Sequence, residues 1–122
     1  MSNWFVTGAL AAGIGVVLGA FGAHGLKERV TPDLLTIFET GVRYHMYHAL
    51  ALLAVSWAST RWTSPWIGAA GWLFVVGILV FSGSLYLLAL TGARWWGAVT
   101  PLGGLAFIAG WMCLALGAIR GS

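Results

Sequence analysis

An all-α membrane protein, a four-transmembrane-helix antiparallel bundle with an interfacial helix leading into the second span, is the fold class this sequence predicts. Three observations predict it. The chain is 60% hydrophobic and 7% charged, with a mean hydropathy of +0.91, far too apolar for a soluble domain of its length. Its 122 residues accommodate about four crossings of roughly 20 residues each, leaving short connections and no separate soluble domain. Three hydroxyl–proline pairs, Thr31-Pro32, Ser64-Pro65 and Thr100-Pro101, mark helix starts. In each, the hydroxyl can cap free N–H groups, and proline at the first helical position gives up no hydrogen bond. Residues 1–122 therefore read as one transmembrane domain.

The first span runs from Trp4 to about His24 without a charge. Met1-Ser2-Asn3 carries no Lys or Arg and the apolar run is long, so it reads as a retained helix rather than a secretory signal. Gly25 is the expected left-handed residue past its end, and Lys27 and Arg29 open the loop. A partly polar helix begins at Pro32 and continues into the second span, about Gly41 to Thr60. The third span runs from Pro65 to about Leu90, ended by Thr91-Gly92, and the fourth from Pro101 to about Ile119. Trp4, Trp62, Trp66, Trp95 and Trp96 fall at these ends as an interfacial aromatic belt.

Four crossings put both termini on one side. Lys27, Arg29, Arg43 and Arg94 belong to the other side, against Arg61 and Arg120 on the terminal side, so the positive-inside rule places loops one and three in the cytoplasm. The net charge of +3 is dispersed as single residues at helix ends, a pattern for phosphate headgroups and not for nucleic acid. The lone cysteine, Cys113, excludes an internal disulfide and sits in an apolar run as a small packing residue.

Lipid tails are as apolar as leucine, so helices in a bilayer associate through close backbone approach at small residues. Ala11, Gly15, Gly19 and Ala23 form such a stripe in the first span, and Gly103, Ala106, Gly110, Cys113 and Gly117 form one in the fourth. In the second span Ala51, Ala54 and Ala58 define a small face. Extended back at about 100° per residue, that face takes in Arg43, Tyr44, Tyr47 and His48, with Glu39 at its margin and His45 on the opposite side, towards the headgroups. In the third span Gly68, Gly71, Val75, Ser82, Tyr86 and Ala89 align. His24, Glu39, Arg43, Tyr44, Tyr47, His48, Ser82, Tyr86 and Thr100 all belong to the loop-one end and are expected to converge on one polar cavity. From these, His24, Glu39, Arg43, Tyr44, His48, Ser82 and Tyr86 are the candidate ligand-binding residues.

Two descriptions fit that cluster. Glu39 and Arg43 have the spacing and order of a helix ion pair, and Tyr44 and His48 repeat the spacing, which would make the cluster a packing network. As a ligand site, Arg43 would contact an anion while His48 and Tyr86 hydrogen-bond a lipid, a quinone ring or another neutral solute. A haem or metal site is the weakest alternative, since His45 and His48 fall on different faces with no carboxylate beside them and no Cys-x-x-Cys in the chain. Ser82 and Ser84 lack the Gly-x-Ser-x-Gly setting of a nucleophile, so no catalytic residue is assigned. Glu28, Asp33 and Glu39 all precede the second span, which argues against proton-coupled export of a charged solute. No cofactor is implied, and the expected partners are the bilayer, further copies or a larger membrane complex.

The runs Gly19-Ala-Phe-Gly-Ala-His-Gly25, Phe38-Glu-Thr-Gly-Val-Arg-Tyr-His-Met-Tyr-His-Ala-Leu50, Leu79-Val-Phe-Ser-Gly-Ser-Leu-Tyr86 and Thr100-Pro-Leu-Gly-Gly104, with Ala109-Gly-Trp111, resemble the domain of unknown function 423 family. These are small bacterial inner-membrane proteins, similar also to the eukaryotic transmembrane protein 256 group. The resemblance covers essentially the whole chain. It implies a four-helix protein of the bacterial cytoplasmic membrane with His24, His48, Ser82, Tyr86 and Pro101 at motif positions, and it implies no reaction. The expectation is a non-enzymatic structural or accessory subunit or a self-associating bundle, with a lipid, quinone or neutral-ligand binder as the alternative.

Overall fold

The computed structural model describes residues 2–121, and among these every secondary-structure element is a helix. Met1, on which the signal-peptide reading partly rests, lies outside the described residues. Helix α1 covers Ser2–His24 and α2 covers Pro32–Arg61. Helices α3 (Pro65–Gly77) and α4 (Gly83–Thr91) are joined through a π turn at Ile78–Ser82 into one rod, and α5 covers Thr100–Arg120. Short 3₁₀ turns at Leu26–Glu28 and Arg94–Ala98 lie in the connections.

Three rods, Asn3–Glu28, Pro65–Thr91 and Arg94–Arg120, are long and apolar enough to cross a membrane. Their outer faces carry Leu10, Val17, Leu79, Leu105, Ile108 and Ile119, each exposed as a hydrocarbon solvent requires. The chain is an integral membrane protein. Helix α2 is different in kind: it runs unbroken for 30 residues and takes Asp33, Glu39 and Arg43 into its first half. No break in the helix separates an interfacial segment from the remainder.

The helix ends follow their local chemistry, with exceptions. Ser64 caps α3 by accepting from the Trp66 N–H at 3.2 Å, and Gly92 closes α4 at φ 71°, a conformation that favours glycine. Gly25 is not left-handed (φ −89°); its missing side chain instead admits the Phe21 ring. Thr31 precedes Pro32 in extended geometry, but its hydroxyl donates to the Asp33 carboxylate at 2.5 Å rather than capping backbone. Thr100 lies inside α5, because the preceding 3₁₀ turn already supplies the helical approach, and its hydroxyl is used elsewhere.

Packing runs in sequence order: α1 lies along α2, α2 along the α3–α4 rod, that rod along α5, and α5 returns to the edge of α2. The two tightest contacts use the same device. In α1, the Cβ that glycine lacks would strike Leu52 at Gly8, Met46 at Gly15 and Phe38 at Gly22. In α5 it would strike Phe81 at Gly103, Phe74 at Gly110 and Ile67 at Gly117. Each set recurs every seven residues, two helical turns, so one stripe stays against its neighbour along the whole contact. The stripe of α1 is therefore Gly8, Gly15 and Gly22 in place of the expected four-residue repeat. The expected line in α5 holds at Gly103, Gly110 and Gly117.

Gly103 is the most constrained position, because an added Cβ would lie 2.3 Å from the Phe81 backbone nitrogen, which no rotamer change can relieve. At Gly68 nothing lies within 4 Å. Gly103→Ala is expected to lower stability in detergent by about 1–3 kcal/mol through overpacking. Gly68→Ala should be neutral or stabilising by up to about 1 kcal/mol from helix propensity. Thermal unfolding of the two variants side by side checks the pair.

Candidate functional site

The polar side chains at the loop-one end do not meet in one cavity; α2 distributes them to different neighbours. Its buried line is Gly41, His45, His48, Leu52 and Val55, spaced by four and three as a helix packed on one face requires. His45, expected to face the headgroups, is 5% exposed and lies in the interior. Tyr44 and Tyr47, expected inside, are exposed, as is Ala54. Ala51 and Ala58 are buried as expected, but at one edge of a broad face whose middle is filled by Leu52 and Val55.

His45 links three helices. Its Nε2 lies 2.8 Å from the Ala11 carbonyl oxygen of α1, and its Nδ1 lies 2.8 Å from the Tyr86 hydroxyl of α4. A carbonyl only accepts, so Nε2 carries the proton; the neutral ring then accepts the Tyr86 O–H on Nδ1. Gly15, one turn beyond Ala11, makes room for the neighbouring Met46 side chain, and a Cβ there would touch the His45 ring only at 3.4 Å.

His48 holds the opposite tautomer. Its Nδ1 donates to the Tyr44 carbonyl in its own helix at 2.7 Å, and its Nε2 accepts the Trp111 indole N–H of α5 at 3.1 Å. The ring stacks on Phe107, with centroids 3.6 Å apart and planes 6° from parallel. Ser82, fully buried in the π turn, donates to the Gly41 carbonyl at 2.7 Å, and Gly41 leaves room for the Tyr86 ring. The Ser84 and Thr100 hydroxyls lie 2.5 Å apart and join α4 to α5. Among the described residues no buried side-chain polar atom lacks a partner.

The remaining predicted site residues lie apart from these links. His24 is exposed at the end of α1. Glu39 and Arg43 are exposed on the flank of α2 beside α1, where they line a groove of about 390 Å³ with Gly19, Phe38 and Val42. Tyr44 lies with Tyr47 and His48 in a separate aromatic cleft between α2 and α5. Tyr86 and His45 form the floor of a third, largely apolar groove of about 310 Å³ between α1 and the α3–α4 rod. The ion pair expected between Glu39 and Arg43 is not formed. The one ion pair among the described residues joins Asp33 at the start of α2 to Arg94 before α5, both exposed.

Chemically, the arrangement fastens helices. Coordinating a metal or haem iron through His45 or His48 would first break one of the bonds above, and no three His, Cys, Asp or Glu side chains gather among the described residues. Neither serine faces a histidine nitrogen as a nucleophile would. Two residues that sequence reasoning missed, Trp111 and Ala11, act as bonding partners. Trp111 stands in the Ala109-Gly-Trp111 run, a signal that was present; a backbone carbonyl leaves none.

A polytopic helical membrane protein whose buried side-chain polar atoms, among the described residues, all have partners is the class this geometry defines. The family model described as "Protein of unknown function (DUF423)" matches residues 18–104, and the chain belongs to that family. The chain is 45% identical to the UPF0382 membrane protein YwdK of Bacillus subtilis across 98% of each chain. It is 46% identical to the UPF0382 membrane protein SSP2132 of Staphylococcus saprophyticus, covering 98% of this chain and 99% of the relative. It is 42% identical to the UPF0382 inner membrane protein YgdD of Escherichia coli K12, covering 92% and 86% respectively. No solved structure matches the chain.

Two outcomes follow from these contacts. In a double-mutant cycle of His45→Phe and Tyr86→Phe, the coupling measured by thermal unfolding in detergent should be about 0.6–1.7 kcal/mol, the range of interhelical hydrogen bonds in membranes. The Asp33 carboxyl is held down at about 2 by the Thr31 hydroxyl and then by Arg94. Its folded-state value lies below the ordinary 3.8, so its stabilising contribution is present above that value and lost as pH falls through about 2. An Asp33→Asn variant should therefore show a small, salt-sensitive loss of stability that is constant above about pH 5 and shrinks below about pH 4.

Proposed function

We propose that the chain is a four-span, non-enzymatic membrane bundle, one transmembrane domain over residues 1–122, acting as an accessory subunit or a self-associating unit in the bacterial cytoplasmic membrane. What supports the fourth crossing is the register of α2 on α1. Contacts run antiparallel from Phe38 at Gly22 to Leu52 at Gly8, so α2 shares the depth of a helix that is itself long enough to cross. Its first turns, around Asp33, then lie at the interface in line with the span, and loops one and three face the cytoplasm by their Lys and Arg content.

The observation that carries the non-enzymatic reading is the saturation of the interior: His45, His48, Ser82 and Ser84 each spend their hydrogen bonds on helix contacts. A second reading, a small-ligand binder, draws on the apolar groove above His45 and Tyr86. There the Tyr86 O–H is already donated, so its oxygen has only acceptor capacity left, which suits a hydroxyl-bearing ligand such as a quinol or a lipid alcohol better than a bare carbonyl.

Two measurements test these readings. Reporter fusions at the N- and C-termini should report the same side of the membrane; opposite sides would remove the fourth crossing. Native mass spectrometry after gentle extraction from the protein's own membranes should find it with further copies or with a larger subunit set. Bare monomer would sink the subunit reading, and a discrete added mass lost in a Tyr86→Phe variant would favour the binder.

A further inference from the structure

We infer that Glu39 and Arg43 together hold the headgroup of an ethanolamine phospholipid in the groove between α1 and α2. The inference rests on the four-crossing reading, because it requires α2 to enter the bilayer at this level. The two side chains are one turn apart with the acid nearer the helix N-terminus, the order that pairs most readily in water. They nevertheless make no ion pair, and both line a polar groove of about 390 Å³ with Gly19, Phe38 and Val42. Two opposite charges side by side and unpaired present a complementary surface to a zwitterion.

Depth gives the order of the charges meaning. Glu39 stands about 6 Å nearer the loop-one surface than Arg43, one turn at 1.5 Å per residue. A phospholipid carries its phosphate next to the glycerol, at the hydrocarbon boundary, and its amine beyond it on a two-carbon link. The guanidinium meets the phosphate, and the carboxylate meets the ammonium. An ethanolamine N–H⁺ donates a charge-assisted hydrogen bond to Glu39, which a choline group, having no N–H, cannot make. A glycerol headgroup brings no cation and leaves Glu39 facing phosphate. Gly19 forms the α1 wall of the groove, against Val42.

The full-length protein in bilayer discs of defined composition tests this, with retained lipid counted by native mass spectrometry. Ethanolamine phospholipid should be retained about tenfold over the choline lipid of the same chains, the equivalent of one charge-assisted bond. Glu39→Gln should erase that preference, lowering ethanolamine-lipid retention more than choline-lipid retention, and Arg43→Gln should lower retention of ethanolamine, choline and glycerol phospholipids alike. Both side chains are exposed, so neither substitution disturbs the interior. A wild-type protein that does not distinguish ethanolamine from choline lipid overturns the inference, as does a preference that survives Glu39→Gln. Equal loss of thermal stability in both lipids on removing either charge would mean that the two side chains pair with each other, and would overturn it too. The four-crossing reading fails separately, in the terminal fusions.

Discussion

Close contact between helix backbones is the constraint on which this structure depends. Hydrocarbon gives apolar helices no reason to prefer one another over lipid, so association must come from dispersion at short range and from hydrogen bonds the lipid cannot supply. Glycine provides the first: at Gly8, Gly15 and Gly22 on α1 and at Gly103, Gly110 and Gly117 on α5, the neighbour occupies the place of the missing side chain. The second depends on it. Gly41 leaves the surface of α2 bare where the Tyr86 ring lies against it, and there Ser82 reaches the Gly41 carbonyl and Tyr86 reaches His45. Polar links and small residues are thus one mechanism, in which the second creates the distance that the first requires.

That coupling explains why α2 holds the unusual residues. It is the helix that touches each of the other rods, and it meets them on a broad face. His45 and His48, three residues apart, project about 60° from each other, so one ring serves α1 and α4 while the other serves α5. Asp33 adds an exposed tie from the start of α2 to the turn before α5, outside the spans. A helix with less hydropathy than its neighbours is thereby the one with the most partners.

The helical class, the membrane, the proline-marked starts at Pro32 and Pro65 and the glycine line of α5 were legible in the sequence because each follows from local chemistry or single-helix periodicity. The face of α2 was not. Orientation was read from Ala51, Ala54 and Ala58 on the premise that small residues mark the contact, which holds for α1 and α5, each of which has one principal partner. A helix enclosed on several sides buries a broad face: Ala51 and Ala58 lie inside it, but its centre, at Leu52 and Val55, is displaced from them, so His45 turned inward and Tyr44 and Tyr47 outward. The expected cavity dissolved for the same reason: membership of one membrane level does not determine which gap between helices a side chain enters. The bond from His45 to Ala11 was invisible because every residue has a carbonyl, and only the fold selects one.

The π turn at Ile78–Ser82 sets the angular phase of everything after it. A π turn is in effect one residue more than a regular helix would hold, so winding the same residues as unbroken α-helix would rotate the following segment by about 100°. Ser84 and Tyr86 would then turn away from Thr100 and His45 while α3 kept its glycine contacts with α5. The rod behaves as two helices set at a fixed angle, and the extra residue is the key that holds the setting.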